Sequence, residues 1–163
     1  MSTLLAIAIT TGILSGIWGW VAMSLGLLTW AGFLGCTSYF ASPAEGAKGL
    51  FQSLITNLVG VMWAMVIIET SSLMSFDIWG YIVTALVAFA MCIQAKQQWL
   101  AFIPGTFIGS CATFASDGLW QLVIPSLLVG GVFGYLMKAT GMWLHRKSNQ
   151  PEVNERREIT TRS

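Results

Sequence analysis

Apolar positions in this chain come in long unbroken runs rather than in alternation. Residues 3–44, 49–68, 78–95 and 97–116 contain no charged residue. Uncharged, mostly apolar runs of about 20 residues are what a bilayer-crossing helix requires. The period-2 pattern of a barrel strand is absent, so helices are the way such segments satisfy their backbone in lipid. Polar punctuation divides the runs. Ser24-Leu25-Gly26 breaks the first, which is too long for one crossing. Ser42-Pro43-Ala44-Glu45-Gly46-Ala47-Lys48-Gly49 forms a polar turn, Glu69 to Asp77 a loop, and Asp117-Gly118 a final turn. The pattern predicts an all-α integral membrane protein with six transmembrane helices, at about 3–24, 27–42, 50–69, 78–95, 99–116 and 119–144. The second and fifth spans are short, and Pro104-Gly105 interrupts the fifth. Residues 146–163 are polar, lack apolar periodicity and are expected to form a disordered cytoplasmic tail. No Lys or Arg precedes the first apolar run and no small-x-small cleavage pattern follows it, so it is expected to remain as a span.

One stretch occurs twice. Phe33-Leu34-Gly35-Cys36-Thr37-Ser38-Tyr39-Phe40-Ala41-Ser42 returns 74 positions later (33 to 107) as Phe107-Ile108-Gly109-Ser110-Cys111-Ala112-Thr113-Phe114-Ala115-Ser116. Weaker echoes follow: Leu50-Phe51-Gln52 against Leu119-Trp120-Gln121, and Leu58-Val59-Gly60 against Leu128-Val129-Gly130. Three spans per half is an odd number, so related halves would cross the membrane in opposite senses. Such 3+3 inverted repeats are a recurring design of transporters, with short or Gly/Pro-interrupted segments marking the site near the midplane. Gly12-x-x-x-Gly16, extended by Ser15 and Gly19, and Gly130-x-x-x-Gly134 supply small-residue faces for close helix packing.

Composition agrees with the hydropathy. Of 163 residues, 55% are hydrophobic and 9% charged, against about a quarter charged in a soluble domain. Five of the eight tryptophans (Trp30, Trp79, Trp99, Trp120, Trp143) fall near span ends, at the depth where amphipathic rings settle. The net charge of +1 is uninformative, but its placement is not. With the N-terminus in the cytoplasm, Lys48, Lys96, Arg146, Lys147, Arg156, Arg157 and Arg162 all lie inside. Glu69, Asp77 and Asp117 then lie outside, as the positive-inside rule requires. Both termini are therefore expected in the cytoplasm, with Lys138 snorkelling to that side. The group His145, Arg146 and Lys147 attracts anionic lipid, at about 1 kcal/mol per basic side chain.

The chemistry on offer is sparse. No Asp, Glu or His lies mid-span, which argues against a proton relay or a carboxylate cage for cations. Cys36, Cys92 and Cys111 stand singly, without CxxC or Cys/His spacing, so no metal site or disulfide framework is expected. Paired carboxylates, a nucleophile elbow and a phosphate loop are absent; no catalytic residue, cofactor or nucleic-acid partner is expected. What remains is neutral hydrogen-bonding capacity: Asn57 with Gln52, Ser53 and Thr56 in span 3, and Thr37, Ser38, Thr106, Ser110, Thr113 and Ser126 elsewhere. These are the candidate pore-lining residues. Each of these hydroxyls also has an ordinary role in bonding helices together, at about 0.6 kcal/mol. Phe33, Phe40, Phe107 and Phe114 are candidate gates in the two copies, and Trp18, Trp20 and Trp63 are packing groups or a constriction.

The run Ile9-Thr10-Thr11-Gly12-Ile13-Leu14-Ser15-Gly16-Ile17-Trp18-Gly19-Trp20, with Trp30-Ala31-Gly32-Phe33-Leu34-Gly35-Cys36 and Pro104-Gly105-Thr106-Phe107-Ile108-Gly109, resembles the YcdZ-like family. These are small enterobacterial inner-membrane proteins that form a domain of unknown function, and the resemblance spans about residues 3–145. It implies a bacterial inner-membrane location and a multi-span helical fold, and it carries no activity, substrate or catalytic residue. The residues point to a channel or facilitator for a small neutral or weakly charged solute, working in the lipid bilayer as a homo-oligomer. The alternative is a non-transporting assembly or scaffold protein, which the lack of midplane charge favours. A continuous polar cavity between spans 2, 3, 5 and 6 would favour transport, and a solid core the scaffold.

Overall fold

Long uncharged runs have no competing way to satisfy their peptide groups in lipid, and the described chain is helical almost throughout. A computed structural model describes the backbone of residues 2–73 and 77–162, and the side chains of 2–73 and 78–149. Six α-helices follow one another: α1 (Thr3–Leu25), α2 (Thr29–Ala41), α3 (Gly46–Ser72), α4 (Asp77–Ile93), α5 (Ile103–Ala115) and α6 (Trp120–Arg162). Two 3₁₀ turns, Gln94–Lys96 and Gln98–Leu100, join α4 to α5. The helix α6 runs on through the stretch expected to be a disordered tail; the side chains from residue 150 onward lie outside the described residues.

Local chemistry sets the ends. The Ser2 hydroxyl accepts the Leu5 N–H at 3.3 Å and caps α1. Gly26 closes that helix in the left-handed region (φ 66°), its N–H turned back to the carbonyls of Ala22 and Met23. Pro104 sits in the first turn of α5, where its missing N–H leaves no helical bond unmade. The fifth span is thus not interrupted by Pro104-Gly105 but begins with it, and the residues before it are taken up by the 3₁₀ turns.

Four segments are long and apolar enough to cross a membrane: Thr3–Leu25, Gly46–Ser72, Ile78–Lys96 and Trp120–Asn149. Six helices stand where six spans were expected, and four of them are of crossing length. Helices α2 and α5 have 13 residues each and reach about 20 Å at 1.5 Å per residue, short of the ~30 Å hydrocarbon core.

The helices pack as two similar sets. Helix α2 runs beside α6 in the same direction, with Leu28 near Ser126 and Tyr39 against Tyr135. Helix α5 runs in the same way beside α3, with Gln98 near Gln52 and Gly118 near Ile68. The outer helix α1 lies antiparallel on α6, where the Thr10 hydroxyl donates to the Met137 carbonyl at 2.9 Å. Its counterpart α4 starts beside Ser71, near the end of α3. The centre, where α3 and α6 meet, is filled by Val61, Ala112, Val123 and Leu127.

Trp18 is fully buried in the seam of α1, α2 and α6. Its ring covers Gly32, where a β-carbon would collide with it, and lies 5.5 Å from that of Phe133. Its indole N–H donates to the Thr29 carbonyl at 3.0 Å. Trp18→Phe keeps an aromatic ring in the seam but loses that hydrogen bond, so it should lower stability by about 1 kcal/mol, read from unfolding in sodium dodecyl sulfate. A loss indistinguishable from zero would assign Trp18 to packing alone.

Candidate functional site

The polar side chains of the spans gather along two seams, α2 with α3 and α3 with α5. In the first, the Ser53 hydroxyl donates to the Ser38 hydroxyl at 2.8 Å, and Ser38 donates to Oδ1 of Asn57 at 2.8 Å. All three side chains are fully buried. The Asn57 Nδ2 has no hydrogen-bond partner among the described residues. The amide oxygen is thus engaged while its two N–H donors are not. As placed, the Asn57 amide nitrogen is buried without a partner.

The second seam is held by backbone contact. A β-carbon at Gly60 would meet the Thr106 carbonyl, and one at Gly109 the carbonyl of Asn57. Ser110 donates to the Gly60 carbonyl at 2.8 Å. Beside it the Trp63 indole donates to Oε1 of Gln94 at 2.9 Å, and Nε2 of Gln94 donates to the Thr106 hydroxyl at 3.1 Å. Sequence reasoning missed Gln94, which was not among the candidates. Its signal was that of an amide still inside the uncharged run 78–95.

The other expected pore-lining residues are placed differently. Thr56 is buried and bonds back to the carbonyls of Gln52 and Ser53. Thr113 bonds to the Gly109 carbonyl. Ser126 donates to the Leu122 carbonyl at 2.6 Å and accepts the Leu28 N–H at 2.9 Å, closing the α1–α2 turn onto α6. Gln52 lies at the end of the bundle near Gln98. Thr37 is exposed on the outer surface, its hydroxyl returned to the Phe33 carbonyl. The gate candidates Phe33, Phe40, Phe107 and Phe114 are 38–43% exposed and face outward, turned away from any path through the subunit.

A correspondence runs through both seams. Residues 31–41 and 105–115 are buried, half-buried or exposed in the same order at every position, and so are 53–68 and 123–138. The first pair of stretches is offset by 74 residues (31 to 105), the second by 70 (53 to 123). Contacts follow the same two offsets. Cys36 donates to the Gly130 carbonyl at 3.0 Å as Ser110 does to Gly60. A β-carbon at Gly35 would meet the Leu127 carbonyl, as one at Gly109 meets Asn57; Gly130 meets Gly32 as Gly60 meets Thr106. The echo of Leu58-Val59-Gly60 in Leu128-Val129-Gly130 is therefore in register, whereas Leu50-Phe51-Gln52 against Leu119-Trp120-Gln121 is one residue out.

At the positions matching Ser38, Ser53 and Asn57 stand Ala112, Val123 and Leu127. The same order of burial thus holds a polar cluster in one place and an apolar one in the other. The described cavities do not reach this cluster. They lie at the end of the bundle bearing Lys48, Lys96 and Lys138, lined by residues such as Tyr39 and Lys138, Gln52 and Trp99, or Ile55 and Leu100.

Apolar helices of membrane-crossing length, with large side chains such as Leu4, Met23, Leu86 and Phe89 turned outward and hydroxyls and amides turned inward, define an integral membrane protein. Residues 8–142 match the family described as "Protein of unknown function (DUF1097)", and the chain belongs to that family. It is 65% identical over 149 residues to "Inner membrane protein YcdZ" of Escherichia coli, covering 91% of each chain. Identity to the protein of the same name in Salmonella typhimurium is 61% over 155 residues, 94% of this chain and 97% of that one. "Uncharacterized protein YahC" of Escherichia coli is 30% identical over 158 residues, 88% of this chain and 94% of its own. No solved structure matches the chain.

Proposed function

We propose that the protein is an inner-membrane facilitator for a small neutral or weakly charged solute, built from two inverted three-helix halves and seen here closed. The matched burial and the reciprocal glycine contacts support a duplication of α1–α3 as α4–α6. Since the helices alternate in direction, α4 runs opposite to α1, which makes the halves inverted. The names of the relatives support the inner membrane. Lys48, Lys96, Lys138, Arg146 and Lys147 gather at one end, which the positive-inside rule assigns to the cytoplasm together with both termini.

The observation that carries the reading is the polar cluster in only one of two equivalent places. In the second half Ala112, Val123 and Leu127 stand at the matching positions, which supports the reading that the fold does not need Ser38, Ser53 and Asn57. Burying an amide with one end unpaired costs about 1–3 kcal/mol. A group kept at such a cost inside a membrane is a functional marker by default. Its neutrality suits an uncharged passenger, and the inventory offers an enzyme no nucleophile–base pair.

The closed interior favours a second reading, an assembly protein that acts by packing against other membrane proteins. The faces of Gly12, Gly16 and Gly19, which have nothing within 4 Å, suit close helix contact with a second copy under either reading. Swelling of proteoliposomes in urea, glycerol, short amides and acetate separates the two. We expect at least one of these to enter faster than into empty vesicles; uniform equality with empty vesicles would leave the assembly reading.

A further inference from the structure

The end of the bundle that carries the basic side chains contains a cavity of about 430 Å³ between the end of α2, the start of α3 and α6. Lys138 and Arg146 line it, eight residues apart on one face of α6 and therefore two turns from each other. Tyr39 and Tyr135, edge to face at 5.8 Å, form its inner wall. Trp143 stands at its rim, with the Lys147 ammonium 5.2 Å from its ring centre. One carboxylate is present: Glu45, whose oxygen lies 3.1 Å from the Lys138 nitrogen. The Glu45 side chain is 74% exposed and that of Lys138 only 23%, so the acid can swing into water while the lysine stays. Lys138, Arg146 and Glu45 leave the cavity one positive charge, with Lys147 adding a second at the rim.

The fold does not dictate this charge. In the other half the positions of Tyr135 and Lys138 are taken by Met65 and Ile68, which pack beside Gly118. At two of the positions that shape this cavity, the other half thus has apolar side chains in place of a tyrosine and a lysine. Basic pockets between membrane helices on the cytoplasmic side are where anionic headgroups bind.

We propose that this cavity binds a phosphate-bearing anion, the source favoured by its place at the membrane interface being the phosphodiester of an anionic phospholipid such as phosphatidylglycerol. Two basic groups and two phenol hydroxyls match the acceptor oxygens of a phosphate, and the walls beside Met142 match the first carbons of acyl chains. The site lies apart from the Asn57 cluster and does not depend on transport.

Native mass spectrometry of the full chain, stripped of lipid in detergent, tests it by titration with phosphatidylglycerol and phosphatidylcholine. Phosphatidylglycerol should bind about tenfold more tightly. Lys138→Ile with Arg146→Gln should lose most of that preference, whereas Lys48→Met with Lys96→Met, basic at the same end but outside the cavity, should keep it. Isoleucine is the residue of the equivalent site, and circular dichroism checks that the helices persist; if the pair fails to fold, the exposed Arg146→Gln alone carries the comparison. A parallel arm measures thermal protection by inorganic phosphate and glycerol phosphate. Protection of the wild type but not the variant, without lipid preference, would uphold the site and make its anion a soluble one. Equal binding of both lipids together with no protection by phosphate would overturn the proposal. Equal losses in the two double variants would overturn it as well, leaving only a diffuse attraction of the basic end for anions.

Discussion

Rewriting Ser38→Ala, Ser53→Val and Asn57→Leu together should give a protein that inserts and folds normally but, on the facilitator reading, passes whichever test solute the wild type admits at least about tenfold more slowly, a barrier increase of about 1.4 kcal/mol. The three replacements are the residues that occupy the matching places in the second half, Ala112, Val123 and Leu127, all fully buried. Their volumes therefore suit the backbone frame. The exchange removes the Ser53–Ser38–Asn57 chain as a unit, so no partner is left behind unpaired. Replacing all members of a buried polar group by apolar ones of similar shape is near-neutral or stabilising, unlike removal of one member. It also removes the orphaned end of the Asn57 amide. We expect thermal stability in detergent equal to wild type or higher, and the flux loss is then a property of the site. Wild-type flux in the triple variant would sink the assignment of the path to this cluster. Loss of folding would instead show that the two halves are not interchangeable here. Asn57→Ala alone is a poorer probe, because it opens a cavity and strands the Ser38 hydroxyl.

The second large effect should come from glycine. Gly60→Val and Gly130→Val should each destabilise the fold by about 3 kcal/mol or more, at the upper end of overpacking costs. At both positions a β-carbon would fall on the backbone of the facing helix, the Thr106 carbonyl in one case and Gly32 in the other. Backbone cannot rotate aside as a side chain can, so the helices must separate. Separation also breaks the Ser110 bond to Gly60 and the Cys36 bond to Gly130. By contrast Gly12→Ala and Gly19→Ala, with nothing within 4 Å, should stay within about 0.5 kcal/mol of wild type. Unfolding titrations in sodium dodecyl sulfate read all four. Similar small losses for all of them would contradict the close α2–α6 and α3–α5 contacts.

The contrast among glycines marks where the sequence was misleading. Gly12-x-x-x-Gly16 was expected to serve close helix packing, and within the described subunit nothing lies within 4 Å of a β-carbon there. Gly35, and Gly60, which is isolated in its stretch, make backbone-to-backbone contact. A small residue permits close approach on any helix; the neighbour that approaches is chosen by the path of the chain. The aromatic residues divide in a comparable way. Trp18 faces inward over Gly32, while Trp20, two residues on, is 72% exposed. Phe33, Phe40, Phe107 and Phe114 repeat in sequence because both copies turn the same face outward.

The helical membrane class and the approximate helix positions could be read from the residues, because the bilayer acts on each segment locally: an uncharged run of sufficient length must become helix whatever surrounds it. The repeated Phe-x-Gly stretch was legible for the same local reason. Which polar groups meet was not. The α2/α5 pair is offset by 74 residues and the α3/α6 pair by 70, so the turns absorb four residues, and no single sequence offset aligns both. Only with the helices packed does Asn57 come to Ser38 in one half while Leu127 comes to Ala112 in the other. Folding likewise brings Gln94 to Thr106, and gathers Tyr39, Glu45 and Lys138 around one cavity. Those meetings depend on helix crossings and turn lengths between distant parts of the chain, which local hydropathy does not encode.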